Sequence, residues 1–252
     1  MRAAGFIFIL LVFLAGCSLF PALEDGRGRR YALVYGVSNY SYVSGLSFPS
    51  ADAMAVATLF SNAGYITTLR LDDVVTKTGI SNDIAAFATN LTQADSFLFY
   101  FAGHGLQISN TNYLVPFDAV LSYPGTMVTG AELSLWLSAL PTSKNALIID
   151  HCYSGGYALE YKSGFVITGG GTSELTWEYK ELGHGVFTYF FLKGVTNHRA
   201  DLNGDHRIML SEAYYYLSPL VKGFTSNFNV SNEMQRPQYY GGPAVEMSLL
   251  EY

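Results

Sequence analysis

DSFLFYFAGHG (residues 95–105) and NALIIDHCYSGG (residues 145–156) decide the fold. Each opens with a short run of apolar residues, and each run is bounded by polar or turn-forming residues. Continuous apolar runs of this length read as strands covered on both faces, the mark of a parallel sheet. Each run then breaks into a polar, glycine-containing motif, Gly103-His104-Gly105 in one and Asp150-His151-Cys152 in the other. In open parallel sheets, sites form beyond the carboxyl ends of the strands. The two motifs are therefore expected at one edge of one sheet, and adjacent strands, ~4.8 Å apart, would let their loops touch.

Working outward, the rest of the chain keeps the same rhythm. Tyr31–Val37 is another continuous apolar run. Ala51–Ala63 places Val56, Leu59, Phe60 and Ala63 on one helical face and stops at Gly64. Tyr65–Leu71 reads as a strand, Thr78–Asn90 as a helix, and Leu133–Leu140 as a helix entered near Thr129. Phe165–Thr168 is a further strand, and Gly185–Val195 and Leu210–Leu220 are helical. This β-α-β order predicts an α/β domain with a mostly parallel central sheet and helices on both faces. No Pro-rich linker divides it, so one domain over residues 31–252 is expected.

Cys152 and His104 at one sheet edge have the makings of a nucleophile and its base. The imidazole takes the thiol proton and the thiolate attacks a carbonyl. Gly103 and Gly105 let the loop turn tightly around the imidazole, and Gly155 and Gly156 would admit a substrate backbone. A backbone N–H just after the nucleophile would bind the oxyanion. A turn histidine capped by glycines and a buried structural thiol are the plainer alternatives. His151 is expected to point away from the cysteine. His184 and His198 read as loop or helix-end histidines, and tyrosines 214–216 and 239–240 as packing.

Composition narrows the function. Half the residues are apolar, 13% are charged, and the net charge is −6. No basic cluster is present, which excludes a nucleic-acid partner of the usual kind. The two cysteines, Cys17 and Cys152, make no disulfide framework. Residues 1–16 carry one positive charge, Arg2, and then an apolar run, Phe6–Leu14. That run is too short for a membrane span and has the length of a signal-peptide core. Leu14-Ala15-Gly16-Cys17 resembles the bacterial lipobox. The resemblance implies lipid on Cys17, a tether over residues 17–30, and an exported lipoprotein of the cell envelope, with Ser18 similar to an outer-membrane sorting signal.

Asp201, Asn203, Asp205 and Glu212, with the Arg207 carbonyl, follow the ligand spacing of an EF-hand calcium loop. His206 stands where that loop wants Gly. A weak calcium site and an ordinary Asn-Gly turn are both open readings.

FYFAGHG and LIIDHCYSGG together resemble the His and Cys motifs of caspase-like cysteine peptidases, especially the metacaspase and bacterial branch. YALVYGVSNY, LSFPSADAMAVATLFSNAGY, NYLVPFDA and HGVFTYFFLKGV resemble further segments of that family, from Tyr31 to Leu220. His104 precedes Cys152 by roughly the 50 residues found in caspases. The resemblance implies a three-layer caspase-like sandwich, a Cys152–His104 dyad, and no cofactor needed for catalysis, with calcium a candidate ligand. It also implies an acidic pocket from Asp150 and Asp52 that selects Arg or Lys in protein or peptide substrates. A helix-start acid is the other role open to Asp52. The family often has Ser two residues before the His, where this chain has Ala102, so one pocket hydroxyl is missing. The runner-up is a catalytically silent adaptor lipoprotein on the same fold. Oligomeric state is not legible.

Overall fold

The computed structural model describes residues 28–161, 164–227, 234–241 and 246–252. The signal, Cys17 and most of the tether lie outside the described residues. Strand β1 (Arg30–Gly36), helix α1 (Pro49–Asn62), β2 (Ile66–Leu71), α2 (Lys77–Asn90) and β3 (Ser96–Ala102) alternate as expected. Next come a small antiparallel sheet, β4 (Gly105–Ile108), β5 (Thr111–Leu114) and β6 (Val128–Thr129), then α3 (Gly130–Ser138) and β7 (Lys144–Asp150). Helix α4 (Gly155–Glu160), β8 (Phe165–Thr168), the pair β9 (Glu178–Tyr179) and β10 (His184–Gly185), and α5 (Val186–Thr196) follow. The chain closes with β11 (Arg207–Met209), α6 (Leu210–Thr225), β12 (Gln238–Tyr240) and β13 (Ser248–Glu251).

The central sheet has the order β12-β8-β7-β3-β1-β2 and is parallel except for the β12–β8 pair. Strand residues alternate between two cores. Ala32, Val34, Leu98, Tyr100, Ala146 and Ile148 face α1, α5 and α6. Leu33, Tyr35, Phe97, Phe99, Phe101, Leu147 and Ile149 face α2, α3 and α4. Both faces of the inner strands β1, β3, β7 and β8 are covered, which is why these read as unbroken apolar runs, whereas the edge strand β2, ITTLRL, is half-buried throughout. Each of the larger core side chains (Val, Leu, Ile, Phe) contributes about 1.5–3 kcal/mol by leaving water.

The structure departs from expectation at several edges. Helix α6 runs past Leu220 to Thr225 and through Pro219. Its buried stripe of Leu210, Ala213, Leu217 and Val221 continues beyond the proline and outweighs the lost backbone bond. The small strands β4–β6, β9, β10, β11 and β13 are two to four residues long, too short for any periodicity to show. The end of the expected tether is docked. Arg29 donates its N–H to Asp95 Oδ1 at 2.6 Å, and the Arg30 guanidinium bonds the Ala63 carbonyl and sits over the Tyr65 ring. The domain therefore starts before residue 31.

Candidate active site

β3 and β7 are neighbours in parallel register, with Ala102 opposite Asp150. The Gly103 N–H donates to the Asp150 carbonyl at 3.3 Å, holding the two strand ends level. His104 and Cys152 each lie two residues beyond that paired position. They line one cavity, together with Asp52, Asp150, Thr176, Glu178 and Gly185.

The loop after β1 fixes the imidazole. Tyr40 Oη accepts the His104 backbone N–H at 2.7 Å and its ring packs 4.9 Å from the imidazole. His104 Nε2 lies 2.9 Å from the Ser44 carbonyl oxygen. A carbonyl only accepts, so Nε2 carries the proton and Nδ1 holds the free lone pair. Among the described residues no hydrogen bond joins the imidazole directly to the thiol.

Thr176 surrounds the thiol. Its N–H points at Cys152 Sγ from 3.4 Å, and its carbonyl and hydroxyl oxygens lie 3.9 and 3.8 Å away. Burial pushes the Cys152 thiol above its ordinary range, and the Thr176 contacts oppose that push. The resting thiol thus keeps its proton near neutral pH and needs a base. Tyr153, the next residue, has φ 63, a left-handed backbone that costs a side-chain-bearing residue about 1–3 kcal/mol. Its N–H donates to the Glu174 carbonyl at 2.7 Å and its carbonyl accepts from Asn112 Nδ2 at 2.7 Å.

Those bonds correct two expectations. The amides after the nucleophile are committed: Tyr153 N–H to Glu174, Ser154 N–H to His151 and Gly155 N–H to Gly171. The space left by Gly155 is filled by the Gly171–Thr172 backbone, and that left by Gly156 by the Asn112 side chain. Gly105, in contrast, packs on the nucleophile loop itself. A Cβ there would stand 2.1 Å from the Cys152 carbonyl oxygen and 2.0 Å from His151 Nδ1. His151 is fully buried with its ring against Phe101 and Tyr157, and its Nδ1–H donates to the Cys152 carbonyl at 2.7 Å. It shapes the loop and faces away from the cavity chemistry. Burial pushes it down to about 4, so it stays neutral.

Asp52 and Asp150 converge on Gly185. A Cβ at Gly185 would lie 3.1 Å from Asp52 Oδ2 and 2.9 Å from Asp150 Oδ2, so only glycine leaves room for both carboxylates. Asp52 is buried. It accepts from the Gly185 N–H at 3.0 Å and from His184 Nδ1 at 2.6 Å. Asp150 accepts from the Thr188 hydroxyl at 2.7 Å. Burial, then the charge of Asp52, raises Asp150 to about 7. Burial also raises Asp52, against the lowering effect of His184 and Gly185, while the bond to Asp52 raises His184. Asp52 starts α1 in sequence but does not serve the helix end. The Ser50 N–H in the first turn goes to Ser38 Oγ at 3.0 Å, and Glu178 accepts the Ser47 and Phe48 N–H groups just before the helix at 2.9 and 2.7 Å.

The 201–212 loop lies apart from this cavity. Asp201 accepts from the Gly204 and His206 N–H groups and from Tyr252 Oη, Asn203 from Asp205 N–H, and Asp205 from Arg207 N–H. Glu212 accepts from Leu202 and Met209 N–H, closing the loop on the start of α6. The Arg207 side chain pairs with Glu251. His206 takes the left-handed backbone, φ 65, that Gly would favour. His198 stacks on Tyr252, and Tyr214 on Tyr239.

Sequence reasoning placed His104, Cys152, Asp52 and Asp150, and these come together. It missed Tyr40, Ser44, Thr176, Glu178 and Thr188, and took His184, which opens β10, for a loop or helix-end residue. The segment HGVFT carried the signal for His184 and Thr188. A backbone acceptor such as Ser44 leaves no signature in side-chain type.

The chain matches the sequence profile of a family described as "Caspase domain" over residues 29–242. No curated protein matches it. Among solved structures it is similar to the crystal structure of a Geobacter sulfurreducens protein. The TM-score is 0.63 at 16% identity, covering 89% of this chain and 97% of that one. At that identity the likeness shows the fold alone.

Proposed function

The chain belongs to the caspase-domain family, and on that premise we propose that it is a cysteine endopeptidase cleaving after Arg or Lys. The observation that carries the reading is the level exit of His104 and Cys152 from paired strands into one cavity, with Nε2 tied to the Ser44 carbonyl. His104 Nδ1 accepts the thiol proton, and Cys152 Sγ attacks the scissile carbonyl carbon. The carbonyl oxygen becomes an oxyanion, for which the Cys152 and Gly105 backbone N–H groups are the donors. The Thr176 N–H, aimed at Sγ, stabilises the thiolate. The C–N bond breaks as the imidazolium protonates the leaving amine, leaving a thioester. Water, deprotonated by His104, hydrolyses it, releasing the carboxylate and restoring the thiol.

Asp52 and Asp150 supply the preference for a cationic P1 side chain. A guanidinium between two carboxylates forms charge-assisted hydrogen bonds and lowers both carboxyl pKa values as it binds. Recognition of Arg should therefore strengthen as pH rises through about 7, the value for Asp150. The test compares matched Arg and Asp fluorogenic peptides on wild type, Cys152→Ala and His104→Ala. Hydrolysis of the Arg peptide, lost by several decades in both variants, is the expected result. Retained activity in Cys152→Ala overturns the mechanism, and indifference between the peptides overturns the acidic pocket.

A further inference from the structure

The residues that orient the catalytic base sit in a loop, residues 38–48, that has no regular structure of its own. It supplies Tyr40 Oη to the His104 amide and the Ser44 carbonyl to Nε2. Residues 41, 42, 44 and 45 are exposed; Tyr40 packs on the core, and around Ser44 the stretch is otherwise held by the Ser41 N–H on the Phe117 carbonyl and the Leu46 N–H on the Ser38 carbonyl, both at 2.9 Å. Two carboxylates from elsewhere hold its ends. Asp72 Oδ1 accepts the Ser38 and Asn39 N–H groups at 2.8 and 2.9 Å and the Ser50 hydroxyl at 3.1 Å. Glu178 accepts the Ser47 and Phe48 N–H groups, one on each oxygen.

Glu178 stands out because of what else its segment does. Two residues before it, Thr176 makes the contacts to Cys152 Sγ described above. Opposite it in the β9–β10 pair is Gly185, whose N–H holds Asp52. One side chain thus joins the segment against the nucleophile to the loop that aims the base. Glu178 also lines the cavity, and its charge adds to the acidity around Asp52 and Asp150. A purely electrostatic role would therefore look different from a mechanical one.

We propose that Glu178 is a positioning residue for the base: by pinning residues 47 and 48 it keeps the Ser44 carbonyl on His104 Nε2 and so keeps Nδ1 directed at the thiol. The proposal rests on the Cys152–His104 dyad read above. Removing the carboxylate frees residues 47 and 48 and leaves the Ser44 carbonyl held only by the Ser41–Phe117 and Leu46–Ser38 backbone bonds, so Nε2 has a looser acceptor and the imidazole gains orientations and a second tautomer. A misplaced base loses about a hundredfold in rate when displaced by 1 Å. Glu178→Ala is thus expected to slow the thiol chemistry by about tenfold to a hundredfold. Glu178→Gln keeps one acceptor oxygen and one of the two loop bonds, and should fall between.

The experiment measures Cys152 alkylation by iodoacetamide across pH 5–9, in the full chain, for wild type, His104→Ala, Glu178→Ala and Glu178→Gln. This small neutral probe needs neither peptide cleavage nor an acidic pocket. Thermal unfolding of each variant confirms that it is folded. The expected result is His104-assisted alkylation at neutral pH in wild type, lost in His104→Ala, largely lost in Glu178→Ala and partly restored in Glu178→Gln. If His104→Ala leaves the wild-type profile unchanged, the dyad fails and the clamp with it. If only His104→Ala changes the profile, the dyad stands and the clamp is wrong. Loss in Glu178→Ala confined to KM for an Arg peptide, with alkylation intact, assigns Glu178 to the acidic pocket and also overturns the proposal.

Discussion

Asp150→Asn should make this protein more stable and, on the proposed function, slower on Arg peptides, and the balance should depend on pH. Asp150 is fully buried, and its pKa rises from 3.8 to about 7, mainly through burial and secondly through Asp52. A carboxyl raised on folding binds its proton more tightly in the folded chain. Below about pH 4 both states are protonated and the group costs nothing. From there to about pH 7 the folded state holds a proton that the unfolded state lacks, so stability falls as pH rises; above that window the full penalty is present. At about 1.4 kcal/mol per unit, a gap of about three units is worth about 4 kcal/mol. Asparagine has nearly the same shape and still accepts from the Thr188 hydroxyl, but carries no charge. Its advantage over wild type should therefore widen by about 3 kcal/mol between pH 5 and pH 8. In a domain of this size that is a melting-temperature gap growing by about 6–12 °C. Urea unfolding of both proteins at the two pH values is the assay, with Arg-peptide hydrolysis measured alongside. Parallel stability curves for the two proteins would refute the buried, strained carboxylate. Faster hydrolysis by the variant would refute its role in substrate recognition.

Three further outcomes are expected. Phe99→Ala, which empties a fully buried position against Tyr35 in the centre of the sheet, should cost about 3–5 kcal/mol in urea unfolding; a loss below about 1 kcal/mol would mean the α2–α3 core is not close-packed. The 201–212 loop should bind calcium only weakly, at about millimolar concentrations, raising the melting temperature of wild type and not of Asp205→Ala; an equal response in both proteins reduces the segment to a turn. Cys17 should be lipidated in a bacterial host, so that Cys17→Ser stays unprocessed and is not released as the mature form; equal processing of both argues for a plain secretory signal.

The sheet was legible because its strands are buried on both faces. Phe97 and Phe99 pack on one side, Leu98 and Tyr100 on the other, and no charged, amide or imidazole side chain interrupts the run before His104. The meeting of His104 and Cys152 in one cavity was legible for the same reason, since the polar motifs begin where the apolar runs stop. What the sequence concealed depends on backbone atoms and distant partners. The oxyanion expectation failed at Tyr153, because nothing in its side chain reveals that its amide is bonded to Glu174. Glu178 and His184 lie in strands of two residues, and their partners Ser47, Phe48 and Asp52 are about 130 positions earlier. Side-chain type reports burial well and long-range pairing poorly. The end of the tether was misjudged for a related reason: Arg29 and Arg30 look like solvated linker charge until Asp95 and Tyr65 arrive beside them.

The joining of β9 and β10 to the start of α1 also governs when the candidate site can assemble. Glu178 cannot meet Ser47 and Phe48, nor His184 meet Asp52, until a chain segment of some 130 residues has been closed. Contacts between residues so far apart close a long loop, whose entropy cost must be met before they contribute anything. On a ribosome, the segments bearing Tyr40, Ser44 and His104 emerge well before the segment that clamps them. During synthesis the nascent chain thus carries a cysteine and a histidine but no aligned pair. The order of the sequence itself keeps His104 and Cys152 unaligned until folding is nearly finished.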